Sequence, residues 1–464
     1  MENRKLKKSG RRDFLKLSAI GFAGALAASG INSLASERLI PGGSAGLTGP
    51  EGRLTPDPAD AVNRGILAGP NSAQDGSTAN SPQSESGSAQ SDSSSGSAQP
   101  DTNSAQHGSK ADSSATSPRS GPNSGTRRPA NRDRAGIALV GLGNYSTNIL
   151  APALQETTFA YLAGIVTGTM DNEKTWAEKY NIPAGNIYNY ENFDEITDNK
   201  EIDIVYVVLP NFMHKEFTIR AARAGKHVIC EKPMALNAGE CIDMIKACRE
   251  NNVGLSIGYR LHYEPHTQEV MRLGQEKVFG KVLHINCGAA FRFNNFDNWR
   301  WHRELGGGAM MDMGVYPLQA ARYVTGEEPV RVTAQTFVTR PGRFEGVDEA
   351  TTFQLEFPGG TIASLDTGFH ASFDHLYASA ENGFFELRPF SQYSGITGRS
   401  SKGGISFPAV NQQAVQMDED ARNMMAGRPV RVPGEEGLRD MLVVDAVFES
   451  IRTGRPVNLA GLAG

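Results

Sequence analysis

The sequence predicts an α/β protein whose folded body contains two sheets. A doubly wound parallel sheet is expected first, followed by an α/β domain with a large, mostly antiparallel open sheet. Three observations lead to this prediction. Short apolar runs alternate with helical segments between residues 135 and 258, longer strands follow residue 259, and residues 36–132 contain no aromatic side chain.

The composition excludes several classes of protein. The chain has 464 residues and a formal net charge of −5, and 39% of the residues are hydrophobic. A nucleic-acid-binding protein usually carries a basic domain or stripe, and the part expected to fold has none, so we predict no nucleic-acid partner. Four cysteines are too few for a disulfide-built scaffold, and the nine histidines show no clustered spacing, so no metal site is predicted.

The N-terminus has the pattern of an export signal. After a basic stretch, Arg11-Arg12-Asp13-Phe14-Leu15-Lys16 resembles the twin-arginine (Tat) signal, and an apolar run over 17–28 follows it. This run is too short and too rich in Gly and Ala to be a stable membrane anchor. We assign residues 1–36 as a Tat signal peptide, which predicts the Tat export machinery as a partner and the periplasm as the destination. A basic amphipathic helix is the alternative.

Residues 37–132 are predicted to be a disordered linker rich in Ser and Gly. The tripeptide Ser-Ala-Gln recurs in it at 72–74, 88–90, 97–99 and 104–106. Such a composition cannot bury enough apolar surface to offset the entropy of ordering. We expect the segment to be either a spacer or a tolerated low-complexity insert.

Residues 133–258 are predicted to form the first folded domain. Apolar runs typical of buried parallel strands lie at 137–141, 161–167, 202–209, 227–230 and 255–258. A helix is expected over 216–224, ended by Gly225, and Asn237 is expected to cap the next helix with Glu240 as its capping-box partner. Open sheets of this kind bind ligands at the carboxyl ends of their strands.

Residues 259–464 are predicted to form a second domain, for substrate binding and oligomerisation. Its longer strands are expected at 281–291, 330–338, 351–357 and 361–369. Pro358-Gly359-Gly360 would join the last two of these strands as a hairpin. The last helix is expected over 437–453.

The loop after the first strand has the spacing of a dinucleotide-binding turn. Gly141-Leu142-Gly143-Asn144-Tyr145-Ser146 has the form G-x-G-x-x-S, with Ser where Gly or Ala is usual. The first Gly permits a tight turn, the second lets the backbone approach a pyrophosphate, and the helix N-terminus then faces the phosphates. We therefore predict a Rossmann dinucleotide-binding domain.

The end of the second strand bears on the choice of nucleotide. An Asp or Glu is usual there for the ribose 2′-hydroxyl, but this chain has Thr167-Gly168-Thr169, with Lys174 nearby. The lack of an acid at this position favours NADP as the cofactor. NAD stays possible, because Asp171 could take the place of the acid.

Groups suited to proton transfer follow another strand end. Glu231-Lys232-Pro233 lies where a nicotinamide would bind, and Asp312 and Tyr316 are four residues apart, so they share one face of a helix. A Lys near a Tyr can lower the pKa of the phenol, and a carboxylate can orient the pair. Taken alone, Lys232 also fits a solvated loop, Asp312 a helix cap and Tyr316 a core position.

At these residues the chain resembles the Gfo/Idh/MocA family of nicotinamide-dependent sugar oxidoreductases, over residues 135–460. Glu231-Lys232-Pro233 matches the E-K-P motif of that family, and Tyr316 stands where its motif Asp-x-x-x-His has His. In having a tyrosine at this position, the chain resembles the glucose–fructose oxidoreductase branch of the family. The same branch is suggested by the Tat signal and by three segments, Gly258-Tyr259-Arg260-Leu261-His262-Tyr263, Trp299-Arg300 and 306–308.

The resemblance implies roles for the matching residues. Tyr316 would be the general base in sugar oxidation and the acid in reduction, Lys232 would polarise the substrate oxygen, and Asp312 would bind a substrate hydroxyl. The sugar pocket would be lined by Arg260, His262 and Tyr263, and Glu231, Lys232, Trp299 and Arg300 would lie near the cofactor. Pro210, Asn211 and His214 follow a further strand end and are additional cofactor-site candidates, although His214 equally fits a helix-capping role.

The export signal and the resemblance together suggest a mechanism. The Tat route carries folded proteins, and the periplasm is not expected to hold free NADP, so the cofactor should stay tightly bound and be recycled in place. We therefore predict a ping-pong cycle that oxidises an aldose to a lactone and reduces a second sugar. The alternatives are an NAD-dependent glycosidase of the same fold without net redox change, and a non-catalytic sugar-sensing protein. A homodimer or homotetramer is also expected, because the family pairs its open sheets.

Overall fold

The computed structural model describes residues 133–342, 344 and 346–459, with only the backbone of residues 170–172. The predicted signal peptide and linker, residues 1–36 and 37–132, lie outside the described residues. Within the described part, no helix has both the length and the apolar character that crossing a membrane requires.

The first sheet has six parallel strands in the order β3-β2-β1-β4-β5-β6, which is the Rossmann order. Their bounds are β1 Ala135–Val140, β2 Ala160–Val166, β3 Ile187–Tyr188, β4 Ile204–Val207, β5 His227–Cys230 and β6 Leu255–Ile257. Every residue of β1 is buried, as the apolar run predicts for a central strand. The predicted parallel sheet is confirmed.

Helices connect these strands on both sides of the sheet. Their bounds are α1 Ala151–Glu156, preceded by a π-helical turn at Ser146–Leu150, α2 Met170–Tyr180, α3 Asn211–Arg223 and α4 Ala238–Glu250, with short 3₁₀ turns at Ala184–Asn186 and Phe193–Asp198. Helix α3 begins at Asn211, well before the predicted 216. At α4, Asn237 Oδ1 accepts from the Glu240 amide as predicted, while Glu240 Oε2 accepts from the Leu236 amide at 3.2 Å rather than from the cap.

The second sheet has nine strands in the order β14-β13-β12-β11-β7-β10-β9-β8-β15. Their bounds are β7 Val282–Ala290, β8 Arg331–Phe337, β9 Ala350–Glu356, β10 Ile362–Gly368, β11 Phe373–Ala380, β12 Gly383–Leu387, β13 Gly398–Ser400, β14 Gly403–Ile405 and β15 Val457–Asn458. Strands β9 and β10 form the predicted hairpin. Only β7 and β10 pair in parallel among the described strands of this sheet, so the mostly antiparallel prediction is confirmed.

The remaining helices follow the first sheet in the chain, and the last two of them contact it again. Their bounds are α5 Pro265–Gln275, α6 Val315–Thr325, preceded by a π-helical turn at Met310–Gly314, α7 Gln412–Met425 and α8 Gly434–Thr453, with 3₁₀ turns at Arg260–Tyr263, Trp299–Trp301 and Arg303–Leu305. Ala414, Met417 and Ala421 of α7 pack in the same core as Ile137 of β1. Residues after 411 therefore form part of the surroundings of the first sheet's strand ends.

Candidate active site

The loop after β1 has the shape of a phosphate cradle. Gly141 has φ +93°, and a Cβ there would lie 2.5 Å from the Val208 carbonyl oxygen, so this position requires Gly. Nothing lies within 4 Å of a Cβ built on Gly143, which leaves space over the backbone. Ser146 is buried and its hydroxyl donates to the Gly141 carbonyl oxygen at 2.5 Å, so Ser fits the third position of the motif.

The end of β2 presents hydroxyl groups. The Thr167 and Thr169 hydroxyl oxygens are 3.3 Å apart, and Gly168 lies against the ring of Tyr190. Lys174 is exposed on α2 and its ammonium is 4.0 Å from a carboxylate oxygen of Glu178. The structure therefore places two threonines at the predicted ribose position and leaves Lys174 on the helix surface.

The end of β4 is tied to two other loops. Asn211 Nδ2 donates to the Gly306 carbonyl oxygen at 2.8 Å. The His214 ring nitrogens lie 2.9 Å from the Pro233 carbonyl oxygen and 2.7 Å from that of Leu209, and burial lowers the pKa of His214. His214 therefore belongs to the first turn of α3, and its buried ring contacts the loop that carries Lys232. It does not cap the helix, because the N-cap position is occupied by Pro210.

Glu231, the first residue of the E-K-P motif, is enclosed. The Tyr206 hydroxyl donates to Glu231 Oε1 at 2.7 Å, and burial raises the pKa of Glu231. A Cβ on Gly258 would lie 2.6 Å from the same carboxylate oxygen, so the carboxylate occupies the space that this Gly leaves. The Lys232 backbone is therefore anchored next to a fixed, buried acid.

Lys232, Asp312 and Tyr316 are brought together. Lys232 Nζ donates to the Asp312 carbonyl oxygen at 2.6 Å, lies 3.9 Å from Asp312 Oδ1, and is 4.7 Å from the centroid of the Tyr316 ring. Asp312 and Tyr316 both face Lys232, as their spacing predicts. Lys232 and Tyr316 are the groups of this cluster that can exchange protons with a hydroxyl.

Arg300 completes the charge balance around Asp312. Its Nε donates to Asp312 Oδ2 at 2.9 Å, and its guanidinium carbon is 4.6 Å from the Trp299 ring centroid. Burial acts to raise the pKa of Asp312, but the cations of Arg300 and Lys232 outweigh it and hold that pKa below its usual value. Asp312 is therefore an ionised hydrogen-bond acceptor.

The turn that carries Asp312 is positioned by Asp348. Its Oδ2 accepts from the Met310 amide at 2.7 Å at the start of the turn. Gly308 has φ +106°, and a Cβ there would lie 2.2 Å from Asp348 Oδ1. The Gly run before the turn thus permits close approach of this carboxylate.

Arg260 reaches the Tyr316 hydroxyl from the end of β6. Its Nη2 lies 3.5 Å from that oxygen and also donates to the Ser391 carbonyl oxygen. Its Nη1 donates to the Gln392 carbonyl oxygen at 3.0 Å and to Gln412 Oε1. The buried guanidinium forms no ion pair with any residue that the structure describes.

The two other predicted sugar contacts of this turn face elsewhere. The His262 ring centroid is 3.9 Å from that of Tyr323, and the Tyr263 hydroxyl donates to Asp420 Oδ1 at 2.8 Å. Both side chains are buried. Of the predicted pocket residues in the turn, only Arg260 makes a contact with Tyr316 in the described structure.

Comparison with known proteins identifies the family. Residues 135–259 match the oxidoreductase family with an NAD-binding Rossmann fold, and residues 267–385 match the Gfo/Idh/MocA C-terminal domain. An uncharacterized oxidoreductase of Rhizobium meliloti is 32% identical over 340 residues, which cover 69% of this chain and 98% of that protein. The chain belongs to the Gfo/Idh/MocA family. The prediction of an oxidoreductase of this family is confirmed.

Two further Gfo/Idh/MocA proteins are close to this chain. The crystal structure of an aldose-aldose oxidoreductase from Caulobacter crescentus, complexed with glycerol, is 40% identical with a TM-score of 0.68, covering 70% of this chain and 100% of that one. A D-xylose 1-dehydrogenase [NADP(+)] of Haloarcula marismortui is 27% identical over 334 residues, 70% of this chain and 92% of that protein.

Several site residues of this Gfo/Idh/MocA protein carried no sequence signal. Tyr393 contacts Arg260, with its ring centroid 4.3 Å from the guanidinium carbon, and Gln413 Nε2 donates to the Tyr145 hydroxyl at 3.3 Å. Gln412 accepts a hydrogen bond from Arg260, and Tyr206 donates one to Glu231. Asp348 accepts one from the backbone of the turn that carries Asp312. The sequence around Gln412, Gln413 and Asp348 looks like ordinary surface sequence, because their partners lie far away along the chain. Tyr206 lies in a predicted buried strand, but the sequence does not show that its hydroxyl bonds to Glu231.

Proposed function

We propose that this protein is a periplasmic sugar oxidoreductase with tightly bound NADP, which oxidises an aldose to a lactone and reduces a second sugar in a ping-pong cycle. The observation that carries the proposal is the cluster of Lys232, Asp312 and Tyr316 at the carboxyl end of β5. The names of two relatives, an aldose-aldose oxidoreductase and an NADP-dependent xylose dehydrogenase, support aldoses as the substrate class.

The loop at 141–146 fits a dinucleotide. The space over Gly143, the tight turn at Gly141 and the buried Ser146 hydroxyl leave room for a pyrophosphate at the start of the following helix. The hydroxyls of Thr167 and Thr169 would lie near the ribose and would not repel a 2′-phosphate. When bound, the nicotinamide supplies hydride acceptance and return.

Residues of this chain would accept and return the proton of the sugar hydroxyl. Tyr316 Oη takes the proton of the sugar hydroxyl as the C–O bond becomes a carbonyl, and gives it back to the second sugar. Lys232 and Arg260 place two positive charges beside the phenol, where they stabilise negative charge developing on oxygen. The ionised Asp312 accepts a hydrogen bond from a further sugar hydroxyl and so orients the ring.

An absorbance experiment tests the two-sugar cycle. Purified mature protein would be scanned near 340 nm without added cofactor, first with glucose or xylose and then with fructose or a second aldose. A rise followed by a fall is expected, because the trapped nicotinamide would be reduced and reoxidised in place. Tyr316→Phe should retain its nucleotide and show neither change. Steady turnover with one sugar and added NADP alone would contradict the ping-pong cycle, and release of an aryl leaving group from a glycoside would indicate the glycosidase.

The export route has its own test. The proposal rests on the Arg11-Arg12 pair and the apolar run after it. In a bacterial host with a Tat system, the wild-type protein should be recovered from the periplasm with its nucleotide. Arg11→Lys combined with Arg12→Lys should leave it in the cytoplasm, and unchanged export of this variant would contradict the Tat route.

The open face of the second sheet is the proposed contact between subunits. The residues of β8 and β11 on this face are exposed or partly exposed, and Phe337 and Tyr377 are 48% and 36% exposed there. Burying this face against a second copy would give a homodimer, which could pair again into a tetramer. Light scattering should report at least a dimer, and Tyr377→Arg should shift it toward monomer.

A further inference from the structure

Tyr393 is a half-exposed aromatic side chain next to buried members of the active site. Tyr393 is 45% exposed, while Tyr316 and Arg260 are only 8% and 3% exposed. Arg260 contacts both rings, with its guanidinium carbon 4.3 Å from the Tyr393 centroid and 5.3 Å from that of Tyr316. Tyr393 is therefore the member of this group that offers a ring to a ligand arriving from solvent.

The same ring borders the cofactor loop. The Tyr393 and Tyr145 ring centroids are 6.1 Å apart, and Tyr145 belongs to the G-x-G-x-x-S turn. Tyr393 thus lies between the loop expected to hold the nucleotide and the phenol expected to handle the proton. A substrate that reacts at Tyr316 while facing the nicotinamide must occupy the space that these groups border.

The backbone that carries Tyr393 is held firmly. Asp374 Oδ1 accepts from the Phe390 amide at 2.8 Å and the Ser391 amide at 3.0 Å. Gln412 Nε2 donates to the Tyr393 carbonyl oxygen at 3.2 Å, and the same side chain accepts from Arg260. With its backbone held in this way and its ring against Arg260 and Tyr145, this residue loses little conformational entropy on binding, which is the property of a preorganised binding wall.

Packing does not account for the position of this ring. Single exposed aromatic residues are common on protein surfaces and need no explanation. Tyr393, however, belongs to none of the hydrophobic clusters found among the described residues. Its ring lies instead against the buried guanidinium of Arg260. Its exposed surface is therefore available for a ligand rather than used by the core.

We propose that Tyr393 is the aromatic wall against which the sugar ring binds, and that it sets the affinity for the cyclic sugar. This inference rests on the proposed function. A pyranose with equatorial hydroxyls, such as glucose or xylose, presents axial C–H groups on its faces, and these bury apolar area against an aromatic ring while the hydroxyls bond to polar groups at the rim. Tyr393 would supply that ring, and Asp312 and Tyr316 would supply polar contacts.

The test separates binding from chemistry. The rate of cofactor reduction at 340 nm would be measured against glucose concentration for the wild type, Tyr393→Ala, Tyr393→Phe and Phe407→Ala. Phe407, 40% exposed with its ring 5.3 Å from that of His266, is the matched control away from Tyr316. In Tyr393→Ala we expect KM for glucose to rise about tenfold with a similar limiting rate. Tyr393→Phe and Phe407→Ala should keep KM near the wild-type value.

Two further measurements make the result decisive. Bound nucleotide would be released by denaturation and assayed in every variant. Glucose binding would be titrated by calorimetry in Tyr316→Phe with and without Tyr393→Ala, because Tyr316→Phe should not oxidise the glucose that it binds. Loss of nucleotide in Tyr393→Ala with unchanged KM would overturn the proposal, because the ring would then cover the cofactor instead. An unchanged KM with full nucleotide would also overturn it.

Failure of the proposed function gives a different pattern. The proposed function would be contradicted if none of the sugars tested reduced the nicotinamide of the wild-type protein. The calorimetric comparison of glucose binding with and without Tyr393→Ala would still test whether Tyr393 is the wall. Weaker glucose binding in Tyr393→Ala would then support it. Equal binding, or no glucose binding by Tyr316→Phe alone, would overturn it.

Discussion

The loop after β1 and the turn after β6 both follow strands of the parallel sheet, but different partners hold them. In the loop, the Ser146 hydroxyl bonds to Gly141, which is 5 positions away, and among the described side-chain hydrogen bonds of the loop only the one from Gln413 to Tyr145 comes from a distant residue. In the turn, Arg260 bonds to Gln392 and Tyr263 to Asp420, which are 132 and 157 positions away. A segment with local partners keeps its shape from its own sequence, whereas the orientation of side chains in the turn depends on tertiary packing.

Arg260→Met is expected to have the largest effect, because it removes all the long-range hydrogen bonds that Arg260 makes from the turn. The Ser391 carbonyl oxygen and the Tyr316 hydroxyl would lose a buried donor, and each unsatisfied group of this kind costs about 1–3 kcal/mol. We expect Tm to fall and the rate of cofactor reduction by glucose to drop about a hundredfold. Arg260→Lys, which keeps the charge but not the fork of donors, should recover part of the rate. An unchanged rate in Arg260→Met would mean that Tyr316 does not depend on the turn.

Two glycine variants in the loop after β1 are expected to have the next largest effects. Gly143→Ala adds a methyl group that meets nothing within 4 Å, so the fold should be unaffected, but the methyl group would enter the proposed pyrophosphate space. We expect the nucleotide content of the purified protein to fall about tenfold. Gly141→Ala should instead lower Tm, because φ at this position is +93° and the added Cβ would lie 2.5 Å from the Val208 carbonyl oxygen. Full nucleotide retention in Gly143→Ala would place the pyrophosphate elsewhere.

The same contrast explains how far the sequence predicts this molecule. Strand β5 has the bounds that were predicted, His227–Cys230, because an apolar run next to a polar motif is a local signal. The start of α3 at Asn211 was missed because Pro210-Asn211 has the composition of a loop. Asp312 and Tyr316 were predicted to share a face because they are four residues apart, and Lys232 was added from the strand end and the E-K-P motif; the three lie together.

The rest of the candidate site depends on contacts that sequence spacing cannot encode. Gln412 is 1% exposed and holds Arg260, yet nothing around it in the sequence distinguishes it from a surface glutamine. His262 and Tyr263 were predicted beside the sugar because they adjoin Arg260. Their side chains instead contact Tyr323 and Asp420, since the 3₁₀ turn directs successive side chains to different sides.

Asp420→Asn is expected to change the pH dependence of stability by a smaller amount. Burial raises the pKa of Asp420 to about 7, while an unfolded Asp has a pKa of about 3.9. Between these values the folded state binds more protons than the unfolded state, so this group makes stability fall as pH rises from about 4 to about 7. Asn cannot ionise and can keep the contact with Tyr263. The Tm of the wild type minus that of the variant should therefore decrease by a few degrees across this range, and a constant difference would contradict the buried, protonated acid.

His262→Phe should have the smallest effect, and it tests the comparison most directly. Burial, together with the cations of Arg322 and Arg431, lowers the pKa of His262 to about 3, so the ring is neutral at working pH. Its Nε2 is buried without a hydrogen-bond partner among the described residues, and Phe keeps the ring against Tyr323 without burying an unpaired nitrogen. We expect KM for glucose and the pH profile of cofactor reduction to match the wild type, with Tm unchanged or higher. A rise in KM would mean that the ring faces the sugar in the working enzyme, and the turn would then present two side chains to the site where the structure shows one.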